Sequence, residues 1–213
     1  MSRIETLESA AQKKSPYAAE RDSPRVTQLR AQYQEQARQW LLERLKFIDE
    51  SGVNLALTRS HGRAAPGERV VEAVPQNYGS NVTLLAALSL NGVSAPWMLE
   101  GSVDTESFRL YLEQVLGPTL QPGDIVVMDN LSVHKVSGLP EILASRGARL
   151  EYLPPYSPDL SPIEKRWSKI KTALRKAKAR TLEALEEALK KAFASITESD
   201  ARAWFNHCGY AVH

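Results

Sequence analysis

Leu153-Pro154-Pro155-Tyr156-Ser157-Pro158-Asp159-Leu160-Ser161-Pro162-Ile163-Glu164-Lys165-Arg166-Trp167 is the stretch that decides the fold. Its prolines fix φ and stiffen a loop. Behind them, Ile163, Trp167, Ile170 and Leu174 recur at spacings of four, three and four, the apolar stripe of a helix over Pro162 to about Lys178. Ahead of them, Leu150–Leu153 is a short strand. The loop therefore delivers Glu164 from a strand onto the first turn of a helix. Further upstream, Ile125–Met128 is a solid apolar strand ending in Asp129, and Lys135–Arg146 is a helix stopped by Gly147. The segment from Ile125 to Leu153 has the length of a βαβ crossover, so its two strands should be parallel.

The earlier chain supplies more strands. Leu45–Asp49 is short and apolar, Gly52 permits a turn, and Val53–Arg59 is expected to return. Val82–Leu90 and Val93–Leu99 flank Asn91-Gly92, a strong hairpin signal. Thr105–Leu116 has helical spacing with Thr105 as N-cap. Thr181–Ile196 and residues 199–206 close the chain as helices. The class is α/β: a mixed sheet flanked by helices. Residues 1–40 are polar and Gln- and Arg-rich, an arm or linker with a helix over Gln28–Leu42. Residues 41–213 form the body.

The totals exclude several classes. The 213 residues, 43% hydrophobic and 24% charged, are ordinary for one soluble domain. No apolar run approaches a membrane span, and the N-terminus lacks the apolar core of a signal peptide. The single cysteine, Cys208, allows no internal disulfide and is read as a small packed side chain. The default compartment is the cytosol. A net charge of +2 says little, but its distribution says more. Every charge from Lys165 to Arg180 is positive, and such a face suits phosphates. Lys171 and Arg175 follow Glu164 along the helix, as candidate contacts to a nucleic-acid backbone.

Asp49 and Asp129 both end apolar strands, at the edge where α/β sheets bind ligands. If the strands are neighbours, the two carboxylates repel unless a cation lies between them, and hard oxygen donors suit Mg²⁺. Each aspartate alone also reads as a turn residue. Glu164 has its own alternative. Ser161-Pro162-Ile163-Glu164 fits a capping box in which Glu164 reaches back to the amide of Ser161.

Together these segments resemble the catalytic domain of DDE transposases, in the bacterial insertion-sequence branch of the mariner-like superfamily. The residues that carry the resemblance are Phe47-Ile48-Asp49-Glu50-Ser51, Val127-Met128-Asp129-Asn130-Leu131-Ser132-Val133-His134-Lys135, and the run from Leu153 to Glu164. Between Asp129 and Glu164 lie 34 residues, the spacing typical of that superfamily. The resemblance implies a ribonuclease H-like fold in which the first and fourth strands are neighbours, placing Asp49 beside Asp129. It implies Asp49, Asp129 and Glu164 as the catalytic ligands of two Mg²⁺ (or Mn²⁺) ions, and DNA, transposon ends and target, as the partner. His134 and Lys135 are further candidate DNA contacts. It also implies a homodimer in a synaptic complex and a bacterial, nucleoid-associated location. Complete members carry helix-turn-helix domains that 40 residues cannot hold, so a separately encoded module is expected. A non-catalytic remnant that binds DNA, or dimerises with and inhibits a longer protein, is the alternative.

Overall fold

The computed structural model describes residues 17–130 and 138–211. His134 and Lys135 lie outside them. The order of elements is α1 (Pro24–Ala37), β1 (Leu45–Val53), β2 (Val82–Ser89), β3 (Gly92–Glu100), α2 (Thr105–Leu110), β4 (Ile125–Met128), α3 (Leu139–Ala144), β5 (Arg149–Tyr152), α4 (Ile163–Ala177), α5 (Leu182–Ala194) and α6 (Glu198–His207). The five strands form one sheet in the order β3-β2-β1-β4-β5. The pairs β1–β2 and β2–β3 are antiparallel, whereas β1–β4 and β4–β5 are parallel. The first and fourth strands are thus neighbours, as the resemblance implies.

Period-two alternation sends successive strand residues to opposite faces. Ile48, Val126 and Met128 face one layer, where Phe108, Tyr111, Leu112, Leu139 and Leu143 cover them. Phe47 and Val127 face the other, against Ile163, Phe205 and Tyr210. Further along that second face, Trp167, Ile170 and Leu174 of α4 and Leu185 and Leu189 of α5 cover Val82, Leu84 and Ala86. The apolar stripe read from α4 is therefore its core face. Cys208 is a buried free thiol.

Three local expectations are corrected. Gly52 does not turn the chain: β1 runs through it to Val53, and β2 is its antiparallel partner. Residues 54–59 form no strand. Their backbone acceptors are used elsewhere, since the Arg180 guanidinium donates to the carbonyls of Leu55 and Leu57 at 2.7 and 3.0 Å. The N-cap of α2 is Asp104, which forms a reciprocal capping box with Ser107. Tyr111–Leu116 then continues α2 as a wider π-type turn. The helix near the N-terminus lies at Pro24–Ala37, four residues ahead of the expected start, because Pro24 pre-sets its first turn. Its buried residues, Val26, Tyr33 and Ala37, include two that join the core beneath β1. No helix among the described residues is long and apolar enough to cross a membrane.

Candidate active site

Asp129 follows the last residue of β4, as expected. Asp49 does not end its strand, because β1 continues four residues beyond it to Val53. What ends is the parallel pairing: its last pair is Phe47 with Val127. Two residues further on each chain, that register brings Asp49 level with Asp129. The β4 side of β1 is unpaired from there on, and this opening is the cleft. Asp49 lies on the same face of the sheet as Phe47, toward α4. The indole N–H of Trp167 donates to Asp49 Oδ2 at 3.0 Å, so a core residue of α4 also orients the carboxylate.

Glu164 arrives by a different route. The amide of Leu153 donates to the carbonyl of Met128 at 2.9 Å, anchoring the start of the proline loop to the end of β4. The loop tightens in a single 3₁₀ turn at Pro158–Leu160 and enters α4 at Ile163. No side-chain hydrogen bond caps that end of α4, so the capping box read from Ser161 and Glu164 is not formed. The backbone accounts for this: the Glu164 and Lys165 amides already bond to the carbonyls of Ser161 and Pro162. Glu164 is exposed and turned to the cleft instead.

Asp49, Asp129 and Glu164 line one cleft of about 550 Å³, together with Asn130, Tyr156, Ser157 and Arg25. A larger cavity of about 690 Å³ lies between α1 and α6, away from these carboxylates, and carries no comparable chemistry. Tyr156 sits at the rim in left-handed backbone (φ 55°) with its ring half exposed. Burial pushes the Asp49 carboxyl up to about 7, and the negative charges of Glu164, Glu50 and Asp129 push the same way. Arg166 opposes them. It is fully buried, stacks 3.7 Å from the centre of the Trp167 ring, and finds no hydrogen-bond partner for its guanidinium among the described residues.

An all-oxygen donor set in a field that disfavours carboxylate ionisation fits a hard divalent cation. Among the described residues no three acidic, histidine or cysteine side chains form a ready-made cage, and the repulsion between the carboxylates opposes their closer approach. Asp49, Asp129 and Glu164 are the residues that would hold such an ion.

A family model described as DDE superfamily endonuclease matches residues 44–186. The chain belongs to this family. Its fold is ribonuclease H-like. The DDE domain is similar to a Mos1 transposase paired-end complex with left transposon end, at TM-score 0.72 and 19% identity, over 94% of this chain and 63% of that one. It is similar to the catalytic domain of Mos1 mariner transposase at TM-score 0.65 and 16% identity, over 92% and 91%. A Mos1 mariner paired-end complex with Mg gives TM-score 0.69 at 18% identity, over 93% and 65%. The DDE domain thus spans less than two thirds of the longer Mos1 chains. No curated protein matches it in sequence.

The basic helix is less free than its sequence reads. Lys169 is paired with Asp200, Lys178 with Glu72, Arg166 is buried, and Arg180 holds two carbonyls. Lys165 and Lys176 remain exposed and Lys171 and Arg175 half-exposed, none of them in an ion pair among the described residues. Sequence reasoning missed Arg25 in the cleft, Trp167 as a donor to Asp49, and the partners of Asp159. Trp167 had a signal, since it lies one turn after Glu164. The other two come from remote segments and had none.

Proposed function

We propose that this chain is the catalytic domain of a bacterial insertion-sequence transposase of the mariner-like branch, cleaving and joining DNA in cut-and-paste transposition. The observation that carries the proposal is the convergence of Asp49, Asp129 and Glu164, from β1, β4 and α4, on one cleft. Two Mg²⁺ or Mn²⁺ ions held there would lower the pKa of an attacking water or 3′-hydroxyl and stabilise the leaving oxygen. Asp49 and Asp129 hold their positions through the β1–β4 register, and Trp167 fixes the rotamer of Asp49. Glu164 contributes its charge from the helix that also bears Lys171 and Arg175, which are placed to neutralise the DNA backbone. The carboxylates act as ligands, so the reaction needs no protein nucleophile and passes through no covalent protein–DNA species. The partners proposed are transposon ends and target DNA, a second copy in a synaptic complex, and a separately encoded helix-turn-helix module. Residues 41–213 are proposed as the catalytic domain, and α1 of the preceding residues packs onto its core rather than trailing as a free arm.

The test is nicking of supercoiled DNA by the purified chain in Mg²⁺ or Mn²⁺, with Asp129→Ala alongside. Metal-dependent nicking that disappears in the variant is expected. Nicking that persists in the variant would show the activity to come from elsewhere.

A further inference from the structure

We propose that α1 is a working wall of the active cleft, and that Arg25 holds a DNA phosphate beside the carboxylates. The inference rests on the DNA-cleaving reading above and deepens it. Arg25 lies in the first turn of α1, ahead of the segment matched by the family model, yet it lines the same cleft as Asp49, Asp129 and Glu164. Its side chain is exposed, with no ion pair or hydrogen bond among the described residues. A free guanidinium facing carboxylates across an open cleft is suited to the anion that must enter there, and its planar fork suits a phosphate.

Its position is built. Arg30, one and a half turns further along α1, makes a bidentate pair with Asp159 at 2.7 and 3.0 Å, and Arg21 adds a contact at 3.3 Å. Asp159 belongs to the proline loop that carries Glu164. The next turn of α1 brings Tyr33, whose hydroxyl is 2.8 Å from that of Tyr210. Tyr210 in turn donates to the carbonyl of Leu160 at 2.9 Å. Two side-chain ties therefore run from α1 to residues 159 and 160, and Arg25 is carried by the helix they fix. Each of these polar contacts spans 50 or more residues. Arg21 and Arg30 are occupied by Asp159, so Arg25 is the member of this arginine set left for a ligand.

The experiment measures affinity for a DNA duplex in Ca²⁺ across a salt series, with nicking in Mg²⁺ measured in parallel. Arg25→Gln is expected to weaken binding severalfold and to make the slope of log K against log salt shallower by about one. Arg25→Lys should restore the slope and only part of the nicking. In an Asp159→Ala background the Arg25→Gln effect should shrink, because the guanidinium is no longer held in place. An unchanged slope in Arg25→Gln, with salt-dependent binding by the wild type, overturns this inference and leaves the DNA-cleaving reading standing. Full additivity of the two substitutions overturns the positioning by Asp159. A folded wild type that shows neither salt-dependent binding nor nicking overturns both readings.

Discussion

The carboxylate cleft is assembled from two regions that hold their acidic residues by different means. Asp49 and Asp129 are set by the parallel ladder between β1 and β4, whose fully buried residues Phe47 and Val127 pack immediately before them. Glu164 is set by a proline loop tied at Leu153 to β4, at Asp159 to α1, and at Leu160 to Tyr210. A slip of one residue in the ladder would swap every side chain between the two packed layers and misplace both carboxylates, so the first region is all-or-none. The second is held by discrete polar contacts that can be removed one at a time. Perturbations in the two regions should therefore differ in kind.

The largest effect is expected where charge is lost from the ladder-held pair. Asp129→Ala should lower metal-dependent nicking by about a thousandfold or more, the scale on which a preorganised charged group acts in a partly dry site. Far-UV circular dichroism and the melting temperature should confirm that the variant is folded. Glu164→Gln tests the loop-held member. It should cost about a hundredfold or more in the same assay, with an unchanged melting temperature, since the Glu164 side chain makes no cap in the first place. A drop in melting temperature without loss of nicking would reverse the assignment of Glu164 from ligand to cap.

Arg30→Ala loosens the loop while leaving every carboxylate in place. It should reduce stability by about 1 kcal/mol, because Asp159 is partly exposed and water screens the pair. It should also lower nicking by an intermediate factor. A loss as complete as that of Asp129→Ala would mean that the loop is as rigidly specified as the sheet, and the contrast between the regions would disappear.

The ladder-held region also has its own pH signature. The Asp49 carboxyl is raised from 3.8 to about 7, first by burial and then by Glu164, Glu50 and Asp129. A folded-state pKa above the unfolded value means that the unfolded chain loses its proton first as pH rises. Stability of the metal-free protein should therefore fall between about pH 4 and about pH 7, by at most about 1.4 kcal/mol for each step of one in pH, and level off above that. Asp49→Asn should flatten this slope, and chemical denaturation at several pH values in EDTA would measure it. A slope that survives in the variant would place the buried acid elsewhere.

The same division explains what the sequence could reveal. Continuous apolar runs made β2 and β4 legible, and the spacing of Ile163, Trp167, Ile170 and Leu174 gave α4 its core face. The position of Asp49 beside Asp129 came only with the family resemblance, because strand order is not encoded in any local pattern. The extension of β1 through Gly52 was hidden by a residue that signals a turn. Only the long-range alternatives, β2 as partner and Arg180 as the donor to the carbonyls of Leu55 and Leu57, decide against that turn. The ties from Arg21 and Arg30 to Asp159 cross 138 and 129 residues, and no local motif announces them.

The smallest effect separates a cap that the sequence suggests from one that the fold makes. Ser161 and Thr181 both precede a helix, but only Ser161 reads as an N-cap in the sequence. Thr181 accepts from the amide of Ala184 at 3.2 Å, whereas Ser161 makes no such bond, the helix beginning one residue later than its motif implies. Thr181→Ala should therefore cost about 1 kcal/mol, and Ser161→Ala should stay within about 0.5 kcal/mol of wild type. Urea denaturation of the two variants resolves the difference. An equal cost at both sites would mean that Ser161 caps α4 after all, and that Glu164 shares its carboxylate between the helix end and the cleft.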